Sequence, residues 1–353
     1  MKELMVADLA SRENQGITGF FAAGSKQVRT RKDGARYFAL TLSDRTGQID
    51  ARMWETDDAG EFAAGDVVKV RGQVCRYNER LQINVEKVRR AAAGEYELSD
   101  FVAQSERDLD EMWRELEQWV ESFTDRDLKA LLQEFLGDAE IVAALREAPA
   151  AKAMHHAWIG GLLEHVLSLM SLSDMAARHY AGVNRDLLLT GVVLHDIGKL
   201  RELQWGTRFD YTLEGQLLGH ITIGIAMIEK KAAAIPDFPA AKLLLVEHLV
   251  LSHHGQYEFG SPKLPMTPEA ILLHYLDDLD AKMQVTRGEF ARAEANGRDS
   301  AEMTEWVRAL ERPLLNTEAY LHRREGLTEP PEPKAPVRED TEEERNHALP
   351  FED

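Results

Sequence analysis

Between residues 16 and 90 apolar and polar positions alternate with a period of two. Phe38, Leu40 and Leu42 alternate with Tyr37, Ala39 and Thr41, and Ile49, Ala51 and Met53 with Asp50, Arg52 and Trp54. Val68, Val70 and Val74 alternate with Lys69, Arg71 and Gln73, and Leu81, Ile83 and Val85 with Gln82, Asn84 and Glu86. Half-buried antiparallel strands produce this pattern. Lys32-Asp33-Gly34, Ser43-Asp44-Arg45-Thr46-Gly47 and Tyr77-Asn78-Glu79 supply the turn signals between them. Residues 16–30 give a further, first strand, and residues 55–64 a short helix or loop between the third and fourth.

From about residue 100 the period becomes helical. Leu109, Met112, Trp113, Leu116, Trp119, Val120 and Phe123 fall at i, i+3, i+4, i+7 spacing. A second helix is predicted over residues 128–136, and residues 151–323 read as consecutive helices without a strand pattern. Five strands in a small segment predict a closed barrel of the OB type. The expected fold is therefore a five-stranded OB-fold β-barrel followed by an all-α bundle. The expected boundaries are an extension over 1–15, the barrel over 16–92, a helical linker over 93–150, a helical domain over 151–325 and a disordered tail over 326–353. That tail holds Pro330, Pro331, Pro333, Pro336 and an acidic run.

Composition adds restrictions. The chain has 353 residues, enough for two cores. Its longest apolar runs, 187–194 and 243–251, fall short of the roughly 18 residues a membrane helix needs. Residues 1–10 lack the pattern of a signal peptide, and the single Cys75 excludes an internal disulfide and a cysteine-rich zinc site. A cytoplasmic protein with no membrane partner is expected. The net charge of −19 is uneven: residues 16–92 carry +4, whereas residues 93–325 carry −16. Ten of the twelve histidines lie between His155 and His274.

His165, His195-Asp196, His220, His253-His254 and Asp277 each lie on or at the end of a predicted helix: 162–172, 187–194, 221–230, 243–252 and 268–283. A lone helical histidine is ordinarily a packed or half-exposed side chain. Five helices each offering a histidine or aspartate can instead point them at one centre. Imidazoles with a few carboxylates suit manganese, iron, cobalt, nickel or zinc, whereas magnesium requires more oxygen.

The order H…HD…H…H…D, with His195-Asp196-Ile197-Gly198-Lys199 at its centre, resembles the HD superfamily of metal-dependent phosphohydrolases. The flanking segments resemble the YhaM-type 3′-5′ exoribonuclease family: residues 155–165 (HHAWIGGLLEH), 184–189 (NRDLLL), 252–255 (SHHG), 259–262 (FGSP) and 277–282 (DDLDAK). The resemblance spans roughly residues 16–320 and implies the same domain order, an OB barrel before an HD domain. It implies hydrolysis of single-stranded RNA from the 3′ end to nucleoside 5′-monophosphates, with two divalent transition ions, manganese foremost. Under it, Asp196 bridges the two ions, His165, His195 and Asp277 complete one shell, and His220 and His253 serve the other. His254 competes with or joins His253, and Asp280 competes with Asp277.

Asp196 and Lys199 are the candidate catalytic residues. Lys199 is read either as a cation stabilising the phosphoryl group or as a charge at a helix C-terminus stopped by Gly198. His155 and His156 stand open between substrate contact and a structural role. His179, His248 and His274 are read as packing or surface residues. Glu164 is open between orienting a ligand and being a solvated charge.

OB barrels bind oligonucleotides across the second and third strands. Tyr37, Arg52 and Trp54 share the face opposite the barrel interior. Arg29, Arg31, Lys32 and Arg36 cluster in the first connection, and Tyr77 and Arg80, with Arg76, near the last. Aromatic planes among cations suit single-stranded RNA, and also DNA. In the loop 255–267, Tyr257 and Phe259 are placed either to stack on a terminal base or to pack the loop. A homo-oligomer is compatible with the sequence. Two other functions compete: an HD phosphohydrolase of a free nucleotide or cyclic dinucleotide with a regulatory barrel, and a non-catalytic nucleic-acid-binding protein.

Overall fold

The computed structural model describes residues 2–31, 33–55, 61–78, 80–92, 94–152, 158–207, 209–295 and 297–325. Lys32, His155, His156 and the predicted tail 326–353 lie outside them, as do residues 56–60 of the predicted helix or loop. The described part of that connection, 61–66, contains no helix.

The five predicted strands form: β1 (Gly16–Thr30), β2 (Arg36–Asp44), β3 (Gly47–Met53), β4 (Val67–Tyr77) and β5 (Arg80–Arg90). They close in the order β1-β2-β3-β5-β4, with β4 returning to β1 and β3 running parallel to β5. Closure depends on β1, whose 15 residues pair with β4 through Gly16–Ala22 and with β2 through Ala22–Thr30. A register shift between Ala23 and Ser25 bends the strand between these partners. The inward positions Phe21, Leu40, Leu42, Ile49, Met53, Val68, Val70 and Ile83 form the barrel core. The N-terminal segment contributes too: a 3-10 turn, Val6–Arg12, places Leu9 in that core. The Lys2 ammonium is buried against the Asp44 carboxylate beside the Phe21 and Phe101 rings.

Helices follow: α1 (Leu109–Glu121), α2 (Arg126–Leu136) and α3 (Ala139–Glu147). Asp108, Asp125 and Asp138 cap them, each carboxylate accepting from two amides of the first turn. Their apolar faces, among them Met112, Leu116, Leu131 and Phe135, share one core with the helices that follow. Those are α4 (Gly161–His179), α5 (Arg185–Leu194), α6 (Lys199–Glu202), α7 (Leu213–Ala232), α8 (Ala240–Ser252) and α9 (Pro268–Ala295).

Up to Val285 the described residues form one compact unit, and from Thr286 onward they form another. Within the second, α10 (Thr317–Glu325) follows a turn-rich segment with bridges Met303↔Leu315 and Val307↔Arg312. A continuous run of helices is thus not what forms. These bridges and a short ladder of β6 (Leu203–Gln204) with β7 (Asp210–Tyr211) interrupt it. Pieces of one or two residues are too short to leave a period-two signature.

Candidate metal centre and nucleic-acid interface

Helix α5 is buried along its length from Asp186 to Leu194 and ends at His195. Asp186 fixes its start by accepting from the Thr124 and Asp125 amides, at 2.7 and 2.8 Å. His195 and Gly198 both keep right-handed helical backbone angles, so the chain turns directly into α6. Gly198 is therefore not a helix stop. A Cβ there would overlap the backbone carbonyl of His220, so glycine is needed for close approach to α7. Lys199 accordingly begins α6 rather than ending a helix, which removes the C-terminal dipole reading. Its Nζ donates to Asp196 Oδ2 at 2.7 Å.

His220 reaches the same place by a different device. Helix α7 runs on both sides of Gly219, but Gly219 itself has φ 74° and ψ 155°, a kink that an L side chain tolerates poorly. The chain restarts at His220, whose amide donates to Glu202 Oε1 at 2.9 Å. His253 follows the last turn of α8, and Asp277 projects from α9.

The imidazoles share an orientation logic. The Nδ1 atoms of His195 and His253 bond the carbonyls of Val192 and Val250 at 2.8 and 2.7 Å. His220 Nδ1 lies 3.1 Å from Glu202 Oε1, and His165 Nδ1 lies 2.8 Å from Asp280 Oδ2. A ring held through Nδ1 presents Nε2 as its ligand atom. The Nε2 atoms of His195, His220 and His253 are buried without a hydrogen-bond partner, as is Asp196 Oδ1. Buried polar atoms are ordinarily satisfied, so this set fits a cation.

Two groups have ligand atoms all within 4.8 Å of one another: His165, His195 and Asp277, and His220, His253 and His254. Asp196 faces both. Its Oδ2 lies 3.2 Å from His195 Nε2, and its Oδ1 lies 3.5 and 3.8 Å from the Nε2 atoms of His220 and His253.

Charge is balanced tightly here. Burial opposes ionisation of Asp196, yet Lys199 and then His195 hold it well below the usual carboxylate range. In the metal-free site burial likewise opposes a charged His165, but Asp277 and Asp280 raise its pKa to about 9, so a cation bound there would displace a proton. Burial, reinforced by His195 and His254, keeps His253 neutral, the form a metal ligand requires.

The remaining sequence candidates separate by position. Asp280 stands behind His165 and also accepts from Ser168 Oγ at 2.6 Å, whereas Asp277 faces His165 Nε2 at 3.1 Å. His248 accepts the Met266 amide at 3.0 Å, and Glu164 accepts the Trp158 indole at 2.9 Å, and neither belongs to the two ligand groups. His179 sits edge-on to Tyr180. His274, read from sequence as packing or surface, lines the cleft beside the centre together with Asp196, Lys199 and Phe259.

On the barrel, the structure gathers five of the nine predicted interface residues. Tyr37 and Trp54 rings lie 4.8 Å apart, with the Arg31 guanidinium 4.9 Å from the Trp54 ring centre. The Arg52 guanidinium lies 5.4 to 6.0 Å from the Tyr77, Tyr37 and Trp54 ring centres. Tyr37 is itself buried by this packing, so the exposed stacking surface is supplied by the others. Arg29 and Arg52 also line a groove of about 170 Å³ across β1–β3. Arg36 and Arg80 are exposed at the first positions of β2 and β5, and Arg76 pairs with Glu13.

The HD domain model matches residues 162–282, and the model of an OB-fold nucleic acid binding domain matches residues 26–91. The 3′-5′ exoribonuclease YhaM of Bacillus velezensis is 34% identical over 285 residues, 80% of this chain and 88% of the relative. YhaM of a Geobacillus species is 36% identical over 72% of this chain and 78% of its own. YhaM of Bacillus subtilis is 35% identical over 79% and 87%. The chain belongs to the YhaM 3′-5′ exoribonuclease family.

For a YhaM-family chain, sequence reading missed one positioning residue altogether, Glu202, and took another, Asp280, for a possible ligand. Glu202 lies in no segment that carries the resemblance. Its only signal is that an acidic residue follows Lys199 within one helical turn. Among the described residues no helix is long and apolar enough to cross a membrane.

Proposed function

We propose that this chain is a metal-dependent exoribonuclease that degrades single-stranded RNA from the 3′ end to nucleoside 5′-monophosphates. Family membership supports the reaction, and one observation supports the site: buried Nε2 atoms of His195, His220 and His253 and Asp196 Oδ1, all without hydrogen-bond partners. His165, His195, Asp196 and Asp277 would hold one divalent transition ion, and His220, His253 and Asp196, with His254 beside them, a second. The imidazole-rich donor set fits a divalent transition ion, and manganese, with its added preference for the carboxylates of Asp196 and Asp277, is the first to test. Bound ions would neutralise the phosphodiester and supply a water of lowered pKa.

The protein's own part is positioning and charge. Asp280, Glu202 and the carbonyls of Val192 and Val250 fix the rings before substrate arrives. Lys199 stays cationic, because Asp196 together with Asp277 and Glu202 outweighs the effect of burial, and it lines the cleft where phosphoryl charge would develop. The barrel face holds the strand further from its end, through Arg31, Arg52, Trp54 and Tyr77.

Incubating the chain with manganese and a 5′-labelled single-stranded RNA tests this. A ladder shortening from the 3′ end is expected, and a parallel DNA oligomer measures sugar preference. An intact oligomer beside a hydrolysed free nucleotide would contradict the proposal and favour a nucleotide hydrolase.

A further inference from the structure

The cleft beside the candidate metal centre measures about 500 Å³, within the range that accommodates a single small-molecule-sized group such as one nucleotide. Phe259 and His274 form part of its wall. Phe259 is 61% exposed, yet its backbone is held from several sides. Its carbonyl accepts from His254 Nδ1 at 2.8 Å. The Gly260 amide donates to Tyr257 O at 3.0 Å, and the Ser261 amide to Gln256 O at 3.2 Å. The Ser261 hydroxyl, almost completely buried, bonds the carbonyls of Leu251 and Lys263 at 3.0 and 2.7 Å. His274 is fixed as well, its Nδ1 lying 2.9 Å from His253 O. Tyr257 on the same turn is 59% exposed but does not line the cleft, so exposure alone does not distinguish Phe259.

We infer that Phe259 is the stacking surface for the base of the 3′-terminal nucleotide, with His274 beside it; this rests on the exoribonuclease reading above. The reason is geometric. A phenyl ring carried into water by a fixed backbone, in the same cleft as Asp196 and Lys199, meets the nucleotide whose phosphodiester is placed for cleavage. Every base has a π-face, so such a surface accepts any terminal base and discriminates only on whether a base is present and unstacked. A 3′ end paired in a duplex would have to leave its stack before entering.

The test compares two single-stranded RNAs that differ only at the last residue, one ending in a normal nucleotide and one in an abasic ribose. The readout is the ratio of their kcat/KM values, base-bearing over abasic, with manganese. In Phe259→Ala this ratio is expected to fall about five- to a hundredfold, the range of one aromatic–base stack. Phe259→Trp should restore it, and Tyr257→Ala should leave it where it is in the unmodified chain. A ratio unchanged by Phe259→Ala, whether both substrates slow equally or neither does, would overturn the inference. Failure of the unmodified chain to shorten either RNA would instead overturn the exoribonuclease reading, and this subsite with it.

Discussion

The barrel and the helical domain differ in the charge they would present to a polyanion. The barrel segment, residues 16–92, is modestly basic at +4, and its candidate residues lie on an outer face where arginines and rings touch one another in water. Residues 93–325 carry −16, and their candidate site is a buried set of imidazoles and carboxylates. Surface cations attract phosphate over a distance set by salt. A buried carboxylate cluster repels phosphate until a multivalent cation reverses its local sign. On the proposed function, net charge marks where a strand would be gathered and the donor set marks where it would be cut.

The largest expected effect removes the chemistry without touching the barrel. Asp196→Asn keeps the side-chain shape but loses the charge that faces both ligand groups. Hydrolysis should fall to background, metal content should drop, and RNA affinity should remain within about twofold. Full turnover with full metal content would remove Asp196 from the centre.

Glu202→Gln tests the same region one step out. The amide can still meet the His220 backbone but no longer holds the imidazole as a carboxylate does. Metal affinity is expected to weaken about ten- to a hundredfold, the usual consequence of losing such a partner. Titration of the metal-free chain with manganese measures it. Unchanged affinity would make Glu202 a structural residue only.

A further effect falls on the barrel's stability and not on its chemistry. The Lys2 and Asp44 side chains are 3% and 0% exposed. Burial disfavours both charges. For Asp44, hydrogen bonds from Lys2 and Thr46 overcome burial and leave its pKa below the ordinary value; for Lys2, burial wins and lowers its pKa. Asp44→Ala and Lys2→Met each leave one buried charge without its partner, and each should cost about 3–5 kcal/mol. A carboxylate whose folded pKa is depressed stabilises the fold above its unfolded pKa, about 4, and loses that contribution as pH falls toward the folded value. Thermal melts between about pH 5 and pH 2 should show a steeper loss in the unmodified chain than in Asp44→Ala, the other depressed carboxylates titrating in both. Identical slopes would remove Asp44 as its source.

How much of this was legible in the sequence differs between the two regions for a physical reason. Strand alternation is local, so residues such as Leu40, Leu42, Ile49 and Met53 located the strands and the interior of the barrel. The helical domain's candidate ligands were legible through their motifs, and the fold brings His165, His195, Asp196, His220, His253 and Asp277 together. What escaped were contacts made between helices. Asp280 bonds His165 across 115 residues, and Glu202 and His220 meet across a kink at Gly219. The inward placement of Leu9 and the covering of Tyr37 by Trp54 also arise from tertiary packing, which no local period records.

The division of labour between barrel and helical domain is tested most directly by changing Arg52 and Trp54 together to Ala and comparing a long single-stranded RNA with a dinucleotide. For the long RNA kcat/KM should fall about ten- to a hundredfold, as loss of a base stack and a phosphate contact requires. The dinucleotide, which reaches only the metal centre, should be cleaved at nearly the unmodified rate. An equal loss on both substrates would contradict this division of labour.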